Sequence, residues 1–409
     1  MKKNVLIVTD SFPRWEGDSQ SMNQLFDLAS SLAKKFNVFV LTPHHYCCAL
    51  FERLNDINII RYKYFYPKWE TICSDDGFIE NMKKKKSAKF LLPCFIFSEF
   101  ISIIKTIKKF DIDIIITRGL FPHGILVALI KKFIKIPHIL SLTDTSFTLL
   151  SKIDFFGNYL IKHALKKTDN VVITCVYIRY ILEKIAGTEF SPMIIPDCTD
   201  TEIFSISKEK KNYKKNLNIS KNDKVFLFEG NLIEKSGIQY LLHAVKLLKN
   251  DNYEFKLLII GTGNLEDELK NWCKTNGIEN DVKFLGGLDK TSIAESYMIS
   301  DTVIVPFIED IFGDIDGIPI SLINAYSAGI PVIATKFSGA SDIIKDFYNG
   351  WLFEKENYYD LYSKMKLVFN SQYINSIKPN ICAISTQYSI DVISDKYSNL
   401  IHDYVDLKK

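Results

Sequence analysis

The sequence predicts an α/β protein of two doubly wound, parallel-sheet domains. Three observations lead there. Short apolar runs alternate with stretches of helical spacing along the whole chain. The pattern restarts near Lys224. The chain has 409 residues, more than one core normally organises. With 47% hydrophobic and 24% charged residues, both domains can bury a core.

In the first half, Val5–Val8 is a continuous apolar run suited to a central parallel strand, covered on both faces. Leu25, Leu28, Ala29, Leu32, Ala33 and Phe36 then recur at helical spacing. Val38–Leu41, Ile112–Thr117 and Ile139–Leu142 read as further strands, with a helix around Gly124–Ile134, and Val171–Thr174 closes the half. Such alternation implies parallel pairing with helices on both faces. The second half opens with a strand at Val225–Phe228 and a helix marked by Ile238, Leu241, Leu242, Val245 and Leu248. Phe255–Ile260, Val282–Leu285, Thr302–Val305 and Pro331–Ala334 follow as strands. Between the halves, Pro192 to Lys224 carries two prolines and then a lysine- and asparagine-rich stretch, which reads as the interdomain connection. Open parallel sheets bind ligands beyond the carboxyl ends of their strands, so two such sheets are expected to face each other across a cleft.

Composition narrows the function classes. A net charge of +3 makes no case for nucleic acid as a partner, and neither an RNA-binding aromatic–basic motif nor a zinc-finger spacing occurs. The eight cysteines include the neighbours Cys47 and Cys48 but no C-x-x-C, the pattern of free thiols in a reducing compartment. Lys2 and Lys3 precede only Val5–Val8 and then Asp10, a first strand rather than a signal peptide, so a cytoplasmic location is expected. No segment reaches ~18 uninterrupted apolar residues, so no transmembrane helix is expected. Phe90 to Ile104 comes nearest and is interrupted by Pro93 and Glu99. Lys83–Lys86 and Lys89 precede it. Two readings stay open: a buried helix behind a solvated lysine run, or peripheral contact with an anionic membrane, each lysine adding ~1 kcal/mol near the headgroups.

The stretch from Asp310 to Thr335, DIFGDIDGIPISLINAYSAGIPVIAT, carries the chemistry. It reads as a glycine-bearing loop, a helix, a glycine turn and a strand. Gly313 and Gly317 let the backbone approach a ligand closely. Pro319 suits a helix's first turn. The amides of Ile320, Ser321 and Leu322 then point out of the helix N-terminus, where an anion is favoured. Ser321 and Asn324, three apart, share one face of that helix. The loop is built to hold a phosphate.

This stretch resembles the signature of retaining glycosyltransferases of family 4 (glycosyl transferases group 1), which have the GT-B fold. In that signature two glutamates flank seven residues, with Gly-x-Pro just after the first. Asp316-Gly317-Ile318-Pro319 and Asn324-Ala325 occupy those places, followed by Ala328-Gly329-Ile330-Pro331-Val332-Ile333. Glu229-Gly-Asn-Leu-Ile-Glu-Lys-Ser-Gly-Ile238 resembles the strand, loop and helix that open the family's second domain. Leu258-Ile-Ile-Gly-Thr-Gly263 and Val282-Lys-Phe-Leu-Gly286 resemble its next two strand ends, and Ile195-Pro-Asp-Cys-Thr-Asp200 with Phe204 its linker.

The resemblance implies an acceptor-side Rossmann-like domain over 1–199, completed by a crossing helix at 388–409, and a nucleotide-sugar-binding domain over 200–387. It implies a hexosyltransferase-type enzyme of cell-surface polysaccharide biosynthesis. The reaction would pass a sugar, with retention and without a metal or other cofactor, from a nucleotide-sugar donor to a glycan or lipid-linked acceptor. Asp316 would steady the developing positive sugar. Lys235 and the amides of Ile320 and Ser321 would hold the diphosphate, Asn324 the ribose, and Gly17 would lie near the same phosphates. Gly261, Gly317, Ile318 and Pro319 complete the donor side. Thr143 and Asp144 occupy the corner where the family often has a histidine, which makes Asp144 a second catalytic candidate. Arg118 and His123 flank a strand end and are candidates for touching the acceptor; an ordinary loop role stands beside that reading.

The departures are chemical. Both signature glutamates are replaced: Asp316 keeps the charge on a shorter arm, and Asn324 can accept a hydrogen bond but adds no charge. Asn231 and Ser236 stand where the family places an arginine and a lysine, leaving Lys235, one place early, as the cation for the leaving diphosphate. These losses keep open a non-catalytic glycosyltransferase-like partner subunit and, third, a nucleotide-sugar epimerase of the same fold. Smaller motifs read blandly. Gly261-Thr-Gly263 lacks the third glycine of a dinucleotide fingerprint and suits tight-turn packing. Asp111-Ile-Asp113 is a strand start, Asp314 shapes its loop, and the histidines, His44-His45 included, show no metal spacing.

Overall fold

The computed structural model describes residues 2–15, 18, 24–46, 48–73, 78, 81–82, 85–143, 147–151, 154–187, 191–205, 214, 217–309, 317–337 and 339–406. Contacts divide the chain into two units, Met1–Pro196 with Ile390–Lys409, and Asp197–Ser389. The expected connection from Pro192 to Lys224 is therefore largely part of the second unit. Within that unit the Thr199 amide donates to the Tyr388 carbonyl at 2.9 Å, and Phe204 packs edge-on against Tyr297.

The first unit is built on an eight-stranded sheet of order β3-β4-β2-β1-β5-β6-β7-β8. Its strands are β1 Asn4–Val8, β2 Asn37–Pro43, β3 Phe51–Leu54, β4 Ile57–Tyr62, β5 Ile114–Arg118, β6 His138–Leu142, β7 Asn170–Ile173 and β8 Met193–Ile194. The apolar run of β1 is central and at most 1% exposed, as a strand covered on both faces must be. The parallel expectation fails at one place: β3 pairs antiparallel with β4. Asn55 and Asp56 both have positive φ, 46° and 63°, and form the two-residue turn that a twisted hairpin prefers. Exposed and half-buried residues alternate along β3, so it shows no apolar run to read. Nor does β7 close the sheet, since the exposed pair Met193–Ile194 adds β8 beyond it.

Helix α1, Gln24–Ala33, buries Leu25, Leu28, Ala29 and Leu32. Against it lies the C-terminal helix Ile390–Asp406. The Ser31 hydroxyl donates to Ser394 Oγ at 2.9 Å. Tyr397 Oη lies 3.0 Å from Ser141 Oγ, and Asn170 Nδ2 donates to the Tyr404 hydroxyl at 3.1 Å. The apolar stretch that Pro93 and Glu99 interrupt lies in one continuous helix, α2, Lys86–Phe110, in line with the buried-helix reading. Pro93 faces outward, while Glu99 faces inward at 0% exposure. By length and composition alone α2 is apolar enough to cross a membrane. In this fold it is a core helix, with Phe95 and Ile103 fully buried. The next helix, α3, is shorter than its apolar stretch and spans Ile125–Ile130.

The second unit has six parallel strands in the order β11-β10-β9-β12-β13-β14. They are β9 Lys224–Glu229, β10 Phe255–Ile260, β11 Val282–Gly286, β12 Thr302–Val305, β13 Val332–Thr335 and β14 Trp351–Phe353. The expected strands fall on β9 to β13. Strand β14 is only three residues long, too short to register as a run, although Trp351 is completely buried. Three helices position the site: α4 Ile238–Asn250, α5 Lys290–Ile299 and α6 Ile320–Ser327.

Candidate functional site

The site lies at the carboxyl edge of the second sheet, where β9 changes character. Val225 to Phe228 are completely buried, and the strand then ends in the half-buried acid Glu229. Its Oε2 accepts the Tyr297 hydroxyl from α5 and Asn324 Nδ2 from α6, the latter at 3.2 Å. Asn324 Oδ1 in turn accepts the Thr199 hydroxyl at 2.6 Å. Tyr297 Oη also lies 3.2 Å from the Ser321 carbonyl. One carboxylate thus ties a strand end to two helices, and both donors use the same oxygen. Among the described residues Oε1 receives no hydrogen bond. Burial raises the Glu229 carboxyl above its ordinary range, with the two donors opposing, and burial beside that carboxylate raises the Tyr297 phenol well above its own.

The loops around this acid are pressed together by glycines. Gly261 follows β10 with φ +128°, and a Cβ there would stand 2.0 Å from the Gly230 carbonyl oxygen. Gly237 precedes α4 with φ +66°, and its Cβ would stand 1.9 Å from the Pro306 oxygen. No side chain fits either place. Gly261 therefore has a packing duty of its own, as the tight-turn reading holds.

Helix α6 starts one residue later than a proline in its first turn would put it. Pro319 is extended, φ −62° and ψ 130°, and Ile320 is the first helical residue. The three amides expected to be open are reduced to two. Leu322 N–H donates to the Pro319 carbonyl at 3.1 Å, leaving those of Ile320 and Ser321 without a partner among the described residues. Gly317, Ile318 and Pro319 are buried beneath this end, and the Gly317 carbonyl accepts the Gly339 amide at 3.1 Å. Of the remaining donor-side candidates, Asn231 is exposed and Lys235 half-buried on the loop after β9. The Ser236 hydroxyl is spent inside that loop on the Ile233 carbonyl at 2.6 Å. Asp316, Asp314, Gly313, Gly17 and Asp144 lie outside the described residues, as do Lys83 and Lys84.

In the first unit, Arg118 ends β5 and its Nη1 donates to Ser141 Oγ at 3.4 Å. Thr143 follows β6, and its carbonyl accepts the Thr174 hydroxyl at 3.3 Å. His123 is a correction to the acceptor-side set. It is 1% exposed, with Nδ1 2.5 Å from Glu99, and is a core residue because the buried carboxylate needs a partner. Burial works against its imidazolium, but Glu99 outweighs that and raises its pKa. His44 is likewise buried, with Nδ1 2.5 Å from Glu70.

Sequence reasoning passed over Glu229 as a functional residue and Tyr297 altogether. The readable signal was an acid closing an apolar strand, VFLFE, at the edge where parallel sheets take ligands. Tyr297 gave none, since a tyrosine at helical spacing reads as core.

Residues 209–382 match the family Glycosyl transferases group 1, a span of less than half the chain that falls inside the second unit. An uncharacterized glycosyltransferase of Methanocaldococcus jannaschii is 33% identical over 36% of each chain. A second from that organism is 25% identical over 83% of this chain and 88% of its own. The amylovoran biosynthesis glycosyltransferase AmsK of Erwinia amylovora is 32% identical over 30% of each chain. HepE of Anabaena, solved in complex with UDP, superposes with a TM-score of 0.72 at 16% identity, covering 98% of this chain and all of its own. The second unit carries a glycosyl transferases group 1 domain, in a chain whose two parallel-sheet α/β domains have the fold of GT-B glycosyltransferases. The chain has glycosyltransferase homologues, some of them in polysaccharide biosynthesis.

Proposed function

We propose that this protein is a retaining glycosyltransferase of family 4 that passes a hexosyl group from a nucleotide-sugar donor to a glycan or lipid-linked acceptor. The reaction serves cell-surface polysaccharide assembly on the cytoplasmic side and needs no metal. One observation carries the reading. Glu229, Asn324 and the open amides of Ile320 and Ser321 converge at the carboxyl edge of a parallel sheet, inside the segment that matches the transferase family.

Each group has a task. The two amides and Lys235 take the diphosphate at the helix N-terminus. The Glu229 carboxylate accepts from the vicinal hydroxyls of the ribose. The resemblance asks for a glutamate at position 324, but Asn324 sits there and donates to Glu229. Two carboxylates that close would resist ionising together, so an amide suits 324 once the acid stands on the strand. Asp316 supplies negative charge to the sugar as its bond to phosphate breaks. HepE, solved with UDP on the same fold, supports a uridine nucleotide as the first donor to test. The partner-subunit reading draws on Asn324, whose amide is spent at both ends within the protein.

A panel of nucleoside diphosphates and nucleotide sugars, read by thermal shift and by release of nucleotide, tests this. A selective ligand at a hundred times its Kd should stabilise by about 2.7 kcal/mol. Slow donor hydrolysis is also expected. Silence in both assays across the panel overturns the enzyme in favour of the subunit.

A further inference from the structure

Helix α2 is the one described helix long and apolar enough to cross a membrane, yet only one of its faces is packed. Leu91, Phe95, Glu99 and Ile103 face the core. The opposite face shows Phe90 and Phe97, 79% and 68% exposed, with Pro93 and Cys94 exposed between them. At 3.6 residues per turn, Lys86, Phe90, Phe97 and Lys108 fall on a single stripe. Charge on this helix is one-sided. It has five lysines and one acid. The acid, Glu99, is 0% exposed and is answered from within by His123 and the Tyr62 hydroxyl. Every charge that α2 shows to solvent is therefore positive: Lys86 and Lys89 at one end, Lys105, Lys108 and Lys109 at the other.

We propose that the first unit docks on an anionic phospholipid bilayer through this stripe, with α2 lying along the surface. Exposed aromatic rings between lysines, with no acid among them, are the makings of an interfacial helix: the rings enter the acyl boundary and the lysines meet the headgroups. The helix lies on the bilayer rather than spanning it, because spanning would carry Glu99 into hydrocarbon without its partners. A second copy of this chain is the wrong occupant on charge. A two-fold contact sets a patch against itself and would bring lysine to lysine.

The test is sedimentation of the full chain with vesicles of phosphatidylcholine alone, or with about a third phosphatidylglycerol, at low and high salt. Binding is expected only with the anionic lipid. It should fall as salt shortens the screening length from about 10 Å at 0.1 M to about 3 Å at 1 M. Replacing Lys105, Lys108 and Lys109 by glutamine should weaken it by about a hundredfold, at roughly fivefold per lysine. Phe90→Ser with Phe97→Ser should weaken it at least tenfold by about the transfer energy of one phenyl ring, and the melting temperature should hold because both rings are exposed. Phe97→Trp needs no loss of packing: its added fluorescence should be quenched by brominated acyl chains. Equal binding to neutral vesicles, no binding at low salt, variants that bind like the parent, or an unquenched Trp would each overturn the proposal. A dimer that the double serine variant abolishes, without vesicle binding, would overturn it in favour of a second copy.

Discussion

Each unit buries a glutamate beside a tyrosine hydroxyl, and the two are built for opposite ends. Glu99 sits mid-helix at 0% exposure, with His123 on one oxygen and Tyr62 on the other, at 2.5 and 3.2 Å. Glu229 sits at a strand end, half-buried, with Tyr297 and Asn324 crowded on a single oxygen. The first acid is closed on all sides and matched by a group that can carry a positive charge. The second is held by neutral donors on one oxygen, and its other oxygen receives no hydrogen bond among the described residues. The difference teaches that burial alone does not mark a functional acid. What separates the two is whether the protein uses up the carboxylate's acceptor sites.

The largest expected effect breaks the closed pair. Glu99→Gln should destabilise the first unit by about 3 kcal/mol, since removing one partner strands the other inside the core. Urea unfolding reads this, and nucleotide binding by whatever remains folded should not change. If Glu99→Gln unfolds like the parent, the contrast collapses. The acid expected to act on rate comes next. Asp316→Asn should cost about 2–4 kcal/mol of barrier with little change in melting, as for loss of one preorganised electrostatic contact. Unaltered turnover on the best donor would remove Asp316 from the chemistry.

Glu229→Gln should lose about 1.5–3 kcal/mol of donor affinity, the worth of hydrogen bonds to a charged acceptor. Stability should hold. The raised carboxyl pKa means that its ionised form already costs the fold something near neutral pH, and a glutamine oxygen still accepts from Tyr297 and Asn324. Titration calorimetry beside a melting curve separates the two, and a variant that unfolds while retaining affinity would reverse the assignment. The smallest effect concerns pH. His138 is buried between Thr117 and Thr168, and burial first, then Lys131, pull its pKa to about 3. The unfolded chain takes up a proton near 6.5 that the folded one refuses, so stability should fall as pH drops below that point, by about 2 kcal/mol at pH 5. His123 has the opposite sign: its contribution is complete below 6.5 and is lost as pH rises through its raised pKa. Unfolding of the parent and His138→Gln between these limits checks the slope, which should flatten in the variant.

The central strands of both sheets were legible because a strand covered on both faces has to be an apolar run, as Val5–Val8 and Val225–Phe228 are. The β3–β4 hairpin was not, since its edge strand alternates half-buried with exposed residues and its turn rests on the positive φ of Asn55 and Asp56. Helix α2 was legible as a buried helix, but its full reach was not, because a run of letters cannot show that Pro93 faces out and that a distant histidine meets Glu99. In the site, the tight turn at Gly261 was readable from residue types, and the start of α6 to within one residue. The Glu229–Asn324 bond was not: it joins residues 95 apart, and only the fold brings β9 to α6.

The second unit begins at Asp197 and ends at Ser389, and those two ends lie side by side. Thr199 forms an isolated parallel bridge with Ser389 and donates its amide to Tyr388. The first unit resumes at Ile390 as though nothing had intervened. In topology this is a continuous segment with a common point of entry and exit, the arrangement that tolerates domain grafting. A block whose ends meet can be exchanged whole without re-threading its host, so under the proposed function a change of activated sugar would need one cassette replaced and the rest of the chain kept.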